Sequence, residues 1–224
     1  FIKECALFYQ DFIEIDDEGF CRMIPSNSQE NAPLNSAPEN DINVNKKMNR
    51  GIPLTITSTI DVALAREVFT NAIAACKILH IDEPELSIWE DLLERLPLFR
   101  INNDNALAEW VHPDHMDAYA HRHLSHIYPF FPGFQITEDN EELFEAVTVA
   151  LEKRMGEGLE ALTGWSLAHQ ANVYGRMQNA SKAKNCLDIL CQTCLGANLL
   201  TYHNDYRNMG VTLSVILNLH PPYQ

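Results

Sequence analysis

The sequence predicts an all-α fold, most simply an α/α toroid whose long loops form an active-site cup at one end. Three observations predict it: apolar residues recur at helical intervals in several segments, short links join some of these segments as helix pairs, and two long segments without helical period interrupt the series. No repeat of 34 or 40 residues emerges, which argues against a solenoid.

The first half of the chain contains one clear helix between irregular stretches. Apolar spacing over residues 5–15 predicts the last turns of a helix. Residues 19–57 lose this period and contain four prolines, and so long an irregular segment inside a domain is usually functional. The clearest helix starts at Thr59, which can cap it, and continues to about His80.

The rest of the chain contains four predicted helices and a further irregular stretch. Pro84, suited to a first helical position, opens a helix that runs to Leu96. Residues 98–135 are irregular and hold most of the histidines, whereas residues 211–219 could form helix or strand. The remaining helices are predicted over Asp139–Arg154, Gly164–Met177 and Ser181–Leu195.

Bulk composition restricts the partners and the organisation of the protein. A chain of 224 residues with 46% hydrophobic residues can form one sizeable core. Because it starts in what resembles mid-helix and stops without a tail, we expect one partial domain over 1–224, incomplete at both ends. A formal charge of −15 argues against nucleic acid or an anionic membrane as partner and suits a neutral sugar. No run of about 18 apolar residues exists to span a membrane.

Six cysteines occur without the spacing of a disulfide framework, which favours an intracellular over a secreted location.

Histidines are concentrated in one stretch, with five of the nine inside residues 112–126. His112 and His115 are best explained as loop histidines bonded to nearby carbonyls. The other three, His121, His123 and His126, resemble the HxHxDH zinc-ligand run of metallo-β-lactamase-like hydrolases, so a zinc-dependent metallohydrolase is one alternative. That run needs an Asp where Ser125 stands, and its fold is rich in strands, so we expect no metal.

A series of short motifs spans nearly the whole chain, each weak alone and specific as a set. They are Pro25-Ser26-Asn27-Ser28-Gln29-Glu30-Asn31, Thr59-Ile60-Asp61, Glu109-Trp110, residues 121–128, Pro132-Gly133, Gly164-Trp165-Ser166, Asn198-Leu199 and Pro221-Pro222-Tyr223-Gln224. Their order and spacing resemble glycoside hydrolase family 95, the inverting α-L-fucosidases and α-L-galactosidases. The first segment resembles that family's Pro-Ser-Asn-Ser-Pro-Glu-Asn.

The resemblance implies an (α/α)6 barrel that removes terminal α-linked L-fucose or L-galactose with inversion and without a cofactor. The general acid of the family corresponds to Glu30, although Gln29 replaces the usual proline. Glu39, in a second Pro-Glu-Asn, is the runner-up, but it lacks the preceding Pro-Ser-Asn-Ser. Arg122 and His123 would hydrogen-bond the hydroxyls of fucose.

Further residues of the matched motifs are assigned to substrate binding: His121, His126, Glu109 and Trp110. Trp110 and Trp165 could offer an apolar face to the C6 methyl group of fucose. Helix packing is the plainer explanation for Trp165, and the two explanations are balanced for Trp110. A general acid needs a raised pKa, and the uncharged neighbours of Glu30 permit its desolvation.

Two catalytic parts of the family are not found in this chain. In the family, the base is an Asp that follows the segment matching residues 221–224. The family's Asn-x-Asn pair, which holds the attacking water, precedes the acid. Asn43-Val44-Asn45 has the right form but follows Glu30. We therefore expect the remainder of a parent chain to complete the barrel and this chain alone to be inactive. A non-catalytic helical carbohydrate-binding module stays open as an alternative, against which the presence of Glu30 argues.

Overall fold

The computed structural model describes residues 1–36, 51–81, 83–158, 162–195 and 199–201. Six α-helices dominate these residues, which confirms the all-α class. The helices are α1 (Ile2–Phe12), α2 (Thr59–Leu79), α3 (Leu86–Arg95), α4 (Glu141–Gly156), α5 (Gly164–Arg176) and α6 (Ala180–Thr193). Two short 3₁₀ turns, Leu34–Ser36 and Ser125–Ile127, lie in the irregular segments.

The centre of the first half is α2, the longest described helix. Ser58 caps it, since its hydroxyl accepts a hydrogen bond from the Asp61 N–H, and His80 ends it in the left-handed conformation. The sequence predicted Thr59 as the cap; Thr59 is instead the first helical residue, and its hydroxyl donates to the Ala108 carbonyl at 2.6 Å. The cap therefore lies one residue earlier than predicted.

Helices α1, α2 and α3 pack around one apolar core. Ala6 from α1, Phe69 from α2 and Trp89 from α3 are almost fully buried within it. The indole N–H of Trp89 donates to the Gln10 side chain at 2.9 Å, so this buried aromatic residue also has its polar atom satisfied.

A second core joins the histidine-bearing segment, residues 98–135, to the later helices. Ile127 and Phe130 from that segment pack with Val147 and Leu151 of α4 and with Val173 of α5. This core holds the segment against two helices despite its lack of regular structure.

Helices α5 and α6 form the predicted helical pair, packed around Leu167 and Ile189. The link between them is short because Gln178 takes a left-handed conformation and Asn179 caps α6 by accepting from the Lys182 N–H at 3.1 Å.

The structure adds a small hairpin that the sequence did not predict. α1 ends at Phe12, and β1 (Glu14–Ile15) pairs antiparallel with β2 (Cys21–Arg22). The turn between the strands is closed by the Asp16 carboxylate, which accepts from the N–H groups of residues 18 and 20, and by Gly19 at φ 89°. Strands of two residues are too short to show a period of two.

Two other predicted boundaries differ by about two residues. Pro84 precedes α3, which begins at Leu86, and α4 starts after its cap Asn140 and continues to Gly156. The segment 211–219, Glu39, Asn43-Val44-Asn45 and residues 221–224 lie outside the described residues. Within the described part of the chain, no helix has both the length and the apolar character that crossing a membrane requires.

Backbone pairing brings the irregular segments together at one place. Ser26 and Thr55 exchange backbone hydrogen bonds of 2.8 and 2.7 Å, and the Val111 N–H donates to the Thr57 carbonyl at 3.0 Å. The Thr59 N–H donates to the Glu109 carbonyl, also at 3.0 Å. These contacts place residues 23–31 and the histidine-bearing segment side by side near the start of α2.

Candidate active site

Glu30 projects from a tight turn whose flanking residues are buried. The Ser28 hydroxyl donates to Glu109 Oε1 at 2.6 Å, and the Asn31 amide donates to Glu109 Oε2 at 2.8 Å. The turn closes through a bond of 2.9 Å from the Asn31 N–H to the Ser28 carbonyl. Glu30 itself has a φ of 57°, a left-handed conformation that is uncommon outside glycine and that clusters at functional sites.

The Glu30 carboxylate contacts both polar residues that the sequence assigned to sugar binding. Arg122 Nη2 donates to Glu30 Oε2, and His123 Nε2 lies 3.0 Å from the same oxygen. The Ser166 hydroxyl of α5 donates to the Arg122 carbonyl at 2.7 Å and fixes the backbone at that residue. The structure thus brings Glu30, Arg122 and His123 together at one carboxylate oxygen.

The setting of Glu30 differs from the desolvated one that its uncharged sequence neighbours suggested. Its side chain is 54% exposed and ion-paired with Arg122. The neighbours that determine the environment of the carboxylate come from 92 residues away along the chain, so local composition could not reveal them.

A cavity of about 380 Å³ lies between these residues and the first turn of α5. Trp165, in that turn, lines the cavity with its indole edge-on to His123, the ring centroids being 6.0 Å apart. It is 71% exposed, so the helix-packing explanation favoured for Trp165 was wrong. As the second residue of α5, Trp165 lies where no preceding turn of its own helix covers it.

A second cavity of about 390 Å³ adjoins the first across His123 and Trp165. Its lining is mainly apolar and includes Leu64 and Phe131, with the imidazole of His169 among them. The site is therefore wider than the region immediately around Glu30.

Three residues assigned to substrate binding, Glu109, Trp110 and His126, are absent from the lining of the cavity beside Glu30. Each of them is no more than 2% exposed, so their assignment to substrate binding stays a prediction that the geometry of this cavity does not support. Their motifs match the family, but a sequence motif does not distinguish a residue on a pocket wall from one that supports the wall. The Glu109 carboxylate, for example, is fully engaged by Ser28, Asn31 and Arg154.

Arg154 of α4 is a component of the site that the sequence did not reveal. It is 0% exposed, and its Nη2 donates to Glu109 Oε2. Burial alone would raise the pKa of Glu109, but Arg154, His126 and the hydrogen bonds from Ser28 and Asn31 lower that pKa to about 2. Glu109 is thus held as a buried carboxylate. An arginine inside an amphipathic helix is normally solvated, so no local signal identified this one.

His121 connects the histidine-bearing segment directly to the turn that carries Glu30. Its Nε2 lies 3.1 Å from the Gln29 carbonyl oxygen. Burial and the charge of Arg154 lower the pKa of His121 to about 4, so the ring is neutral near pH 7 and donates from Nε2. Burial likewise lowers the pKa of His126 to about 4.

The three imidazoles of the HxHxxH run therefore have different partners: the Gln29 carbonyl for His121, Glu30 for His123 and the Glu109 carboxylate, at 3.9 Å, for His126. In the part of the chain that the structure describes, no three His, Cys, Asp or Glu side chains are grouped so that they could hold a metal ion. The arrangement that a zinc-dependent hydrolase would need is not formed by these residues.

His112 and His115 lie apart from this cavity and bond to the backbone, as expected of loop histidines. Their partners are N–H groups rather than the expected carbonyls: Asp114 N–H donates to His112 and Ile56 N–H to His115, both at 3.3 Å. A further cavity of about 570 Å³ beside His112 contains none of the candidate site residues.

Comparison with known proteins identifies a family and two curated relatives that this chain resembles. The glycosyl hydrolase family 95 catalytic domain matches residues 1–224. The chain is 28% identical to "Alpha-L-fucosidase 2" of Arabidopsis thaliana over 225 aligned residues, which cover 100% of this chain and 24% of that protein. It is 27% identical to "Probable alpha-fucosidase A" of Aspergillus oryzae over 165 residues, 68% of this chain and 22% of that protein.

The chain thus spans about a quarter of the length of these curated relatives. Because the family match covers every residue of the chain, this chain belongs to glycosyl hydrolase family 95, within the catalytic domain.

Proposed function

We propose that the protein containing this chain hydrolyses terminal α-L-fucosidic bonds in oligosaccharides or glycans, with this chain supplying the general acid and part of the sugar pocket. One observation carries the proposal: Glu30 Oε2 contacts both Arg122 and His123 at the edge of a single cavity. Membership of the family and the printed names of the two relatives support fucosides as the substrate class.

In the proposed mechanism, protonated Glu30 donates its proton to the glycosidic oxygen as the bond from that oxygen to the anomeric carbon breaks. Water attacks the anomeric carbon from the opposite face, and a base removes a proton from this water. The products are the free sugar with inverted configuration and the alcohol of the leaving group. In inverting glycosidases the two carboxyl groups lie about 6.5–9.5 Å apart to leave room for the water.

None of the residues assigned in this chain is the base. The Glu109 carboxylate is buried and saturated with hydrogen bonds, so we do not assign the role to it. We propose that the remainder of the parent protein supplies the base, together with the groups that hold the attacking water.

Arg122 and His123 are suited to fixing the hydroxyl groups of the sugar. The guanidinium of Arg122 offers several donors in a rigid plane, and the His123 imidazole contacts both Glu30 and the Trp165 ring. When a sugar binds, its hydroxyls accept hydrogen bonds from the Arg122 and His123 donors that otherwise contact Glu30. The exposed indole of Trp165 can then cover the C6 methyl group of fucose.

The test is to assay the full-length parent protein on 2′-fucosyllactose and on an α-L-galactoside, beside its Glu30→Gln variant. Loss of the general acid is expected to lower kcat by about 10²–10⁴-fold. Glu18→Gln is the matched control, because Glu18 is an exposed glutamate in the turn between β1 and β2 and should leave kcat unchanged.

Turnover by Glu30→Gln at the wild-type rate would exclude Glu30 as the acid. NMR of the first product should show β-L-fucose, and α-L-fucose would contradict inversion. Binding of the oligosaccharide without release of any sugar by the wild type would instead indicate a carbohydrate-binding module.

A further inference from the structure

A single buried guanidinium connects the two halves of the proposed site. We infer that Arg154 is a positioning residue that sets the distance from the Glu30 carboxyl to the donors of Arg122 and His123. This inference rests on the proposed function, in which Glu30 is the acid.

On one side, Arg154 holds the turn that carries Glu30. Its Nη2 donates to Glu109 Oε2, and the two oxygens of Glu109 accept the hydrogen bonds from Ser28 and Asn31. Ser28 and Asn31 lie two residues before and one residue after Glu30. Because the Glu109 carboxylate joins Arg154 to both of these residues, a displacement of the guanidinium would displace both ends of the turn.

On the other side, the same guanidinium holds the backbone that leads to Arg122. Nη1 donates to the carbonyl oxygens of Ala118 at 3.0 Å, Tyr119 at 3.1 Å and His121 at 3.5 Å. The last of these carbonyls belongs to the residue immediately before Arg122. The Asn31 amide also reaches the Ala118 carbonyl, at 3.3 Å, so the two sides meet around Arg154.

Only an arginine can make this set of contacts. Its planar fork presents two nitrogens in fixed directions, one toward Glu109 and one toward the carbonyls. A lysine ammonium in the same place would keep the positive charge beside Glu109 but could not hold both partners in the same geometry. The planar fork is therefore what fixes the two segments relative to each other, whereas the charge alone satisfies the buried carboxylate.

The first test is Arg154→Lys in the full-length protein, since this change leaves the Glu109 charge compensated. A displacement of about 1 Å at a reacting group can lower a rate by about 100-fold. We expect kcat to fall at least tenfold, with KM changing less than threefold and the thermal midpoint close to that of the wild type.

Two substrates distinguish misplacement of the acid from general damage to the protein. A nitrophenolate leaves with little protonation, whereas a sugar alcohol needs full proton donation. Arg154→Lys should therefore lose more activity on 2′-fucosyllactose than on 4-nitrophenyl α-L-fucoside. Equal losses on both substrates, or turnover like the wild type on both, would overturn the inference.

The matched control is Arg176→Lys at the far end of α5. Arg176 also uses Nη1 to hold two backbone carbonyls, those of Phe130 at 2.8 Å and Gly133 at 2.6 Å, but among the described residues neither bond involves the turn that carries Glu30. Its thermal midpoint should likewise stay close to that of the wild type, and kcat on both substrates should stay within about twofold. A loss in this variant equal to that of Arg154→Lys would assign the effect to general packing.

A second measurement separates this inference from the proposed function. In crystal structures of the full-length wild type and of Arg154→Lys, the separation of the Glu30 and Arg122 Cα atoms should differ by about 1 Å. An unchanged separation would overturn the positioning role, whatever the enzyme's substrate. A wild type inactive on both fucosides, with the separation changed in the variant, would instead refute the proposed function alone.

Discussion

Trp165 is exposed because it stands at the start of α5, where its indole lies beside His123 and over the cavity. An aromatic face of this kind contributes to binding through contact with apolar parts of a sugar, and it contributes little to folding while it stays exposed. The residue therefore offers a way to separate binding from stability.

Trp165→Ala should raise KM for fucosides by roughly tenfold, which corresponds to the loss of about 1.4 kcal/mol of binding free energy. The thermal midpoint should hardly change, because the side chain is mostly exposed. Trp165→Phe keeps an aromatic face and should restore most of the affinity. A KM for Trp165→Ala equal to that of the wild type would show that the sugar does not contact this indole.

Single residues also show the limits of prediction from sequence. The motif 25–31 identified Glu30, and residues 121–128 identified Arg122 and His123, which lie together in the structure. The same motifs could not reveal that Glu109 is buried, because the side chains that hydrogen-bond its carboxylate lie 45 to 81 residues away along the chain.

At the scale of elements, the N-terminus of α5 has two functions that share one hydroxyl. Ser166 Oγ accepts from the Thr163 N–H at 3.1 Å as part of a capping box, and it donates to the Arg122 carbonyl at 2.7 Å. The start of the helix and the backbone of a proposed sugar-binding residue thus depend on the same side chain.

Ser166→Ala should destabilise the protein by about 1 kcal/mol through the cap and should also raise KM, because the Arg122 backbone loses its anchor. Asn179→Ala is the control: it removes the cap of α6, where Asn179 accepts from the Lys182 N–H, without a link to the site. Denaturant unfolding of both variants measures the loss of stability, and KM measured on both variants tests the effect on sugar binding. An unchanged KM in Ser166→Ala would mean that the anchor is dispensable.

The described helix boundaries were predictable to within about three residues, because amphipathic periods and caps are local signals. α5 begins where the sequence predicted, at Gly164, and the cap of α2 lies one residue before the predicted Thr59. The hairpin of β1 and β2 was missed, since its turn depends on the Asp16 carboxylate and its strands have two residues each. Local patterns thus define long elements better than short ones.

At the scale of the whole molecule, the long irregular segments are held by a buried polar network rather than by regular structure. Glu109, Arg154, His121 and His126 are all buried within it. Such a network is favourable only while each group keeps the protonation state that its partners require. The stability of the molecule should therefore depend on pH in a way that these groups determine.

Each group raises or lowers the free energy of unfolding with pH according to how its pKa in the folded state compares with its pKa in the unfolded chain. His121 and His126 have a pKa of about 4 when folded and 6.5 as reference, so the unfolded state binds more protons between these values. Their contribution is complete above about pH 6.5 and declines as the pH falls toward 4. Glu109, lowered from 4.5 to about 2, continues the decline below pH 4.5. Asp117 opposes it, because burial raises its pKa from 3.8 to about 6.

The expected result is a free energy of unfolding that falls between pH 6.5 and 4.5, by at most about 1.4 kcal/mol per pH unit for each histidine. His121→Gln should flatten this slope, since its amide can still donate to the Gln29 carbonyl but does not titrate. His80→Asn, an exposed change at the left-handed C-cap of α2, should leave the slope unaltered. Denaturant midpoints of the full-length wild type and variants, measured across this pH range, give the slope for each protein. Identical slopes for His121→Gln and the wild type would mean that His121 is not held neutral by the folded structure.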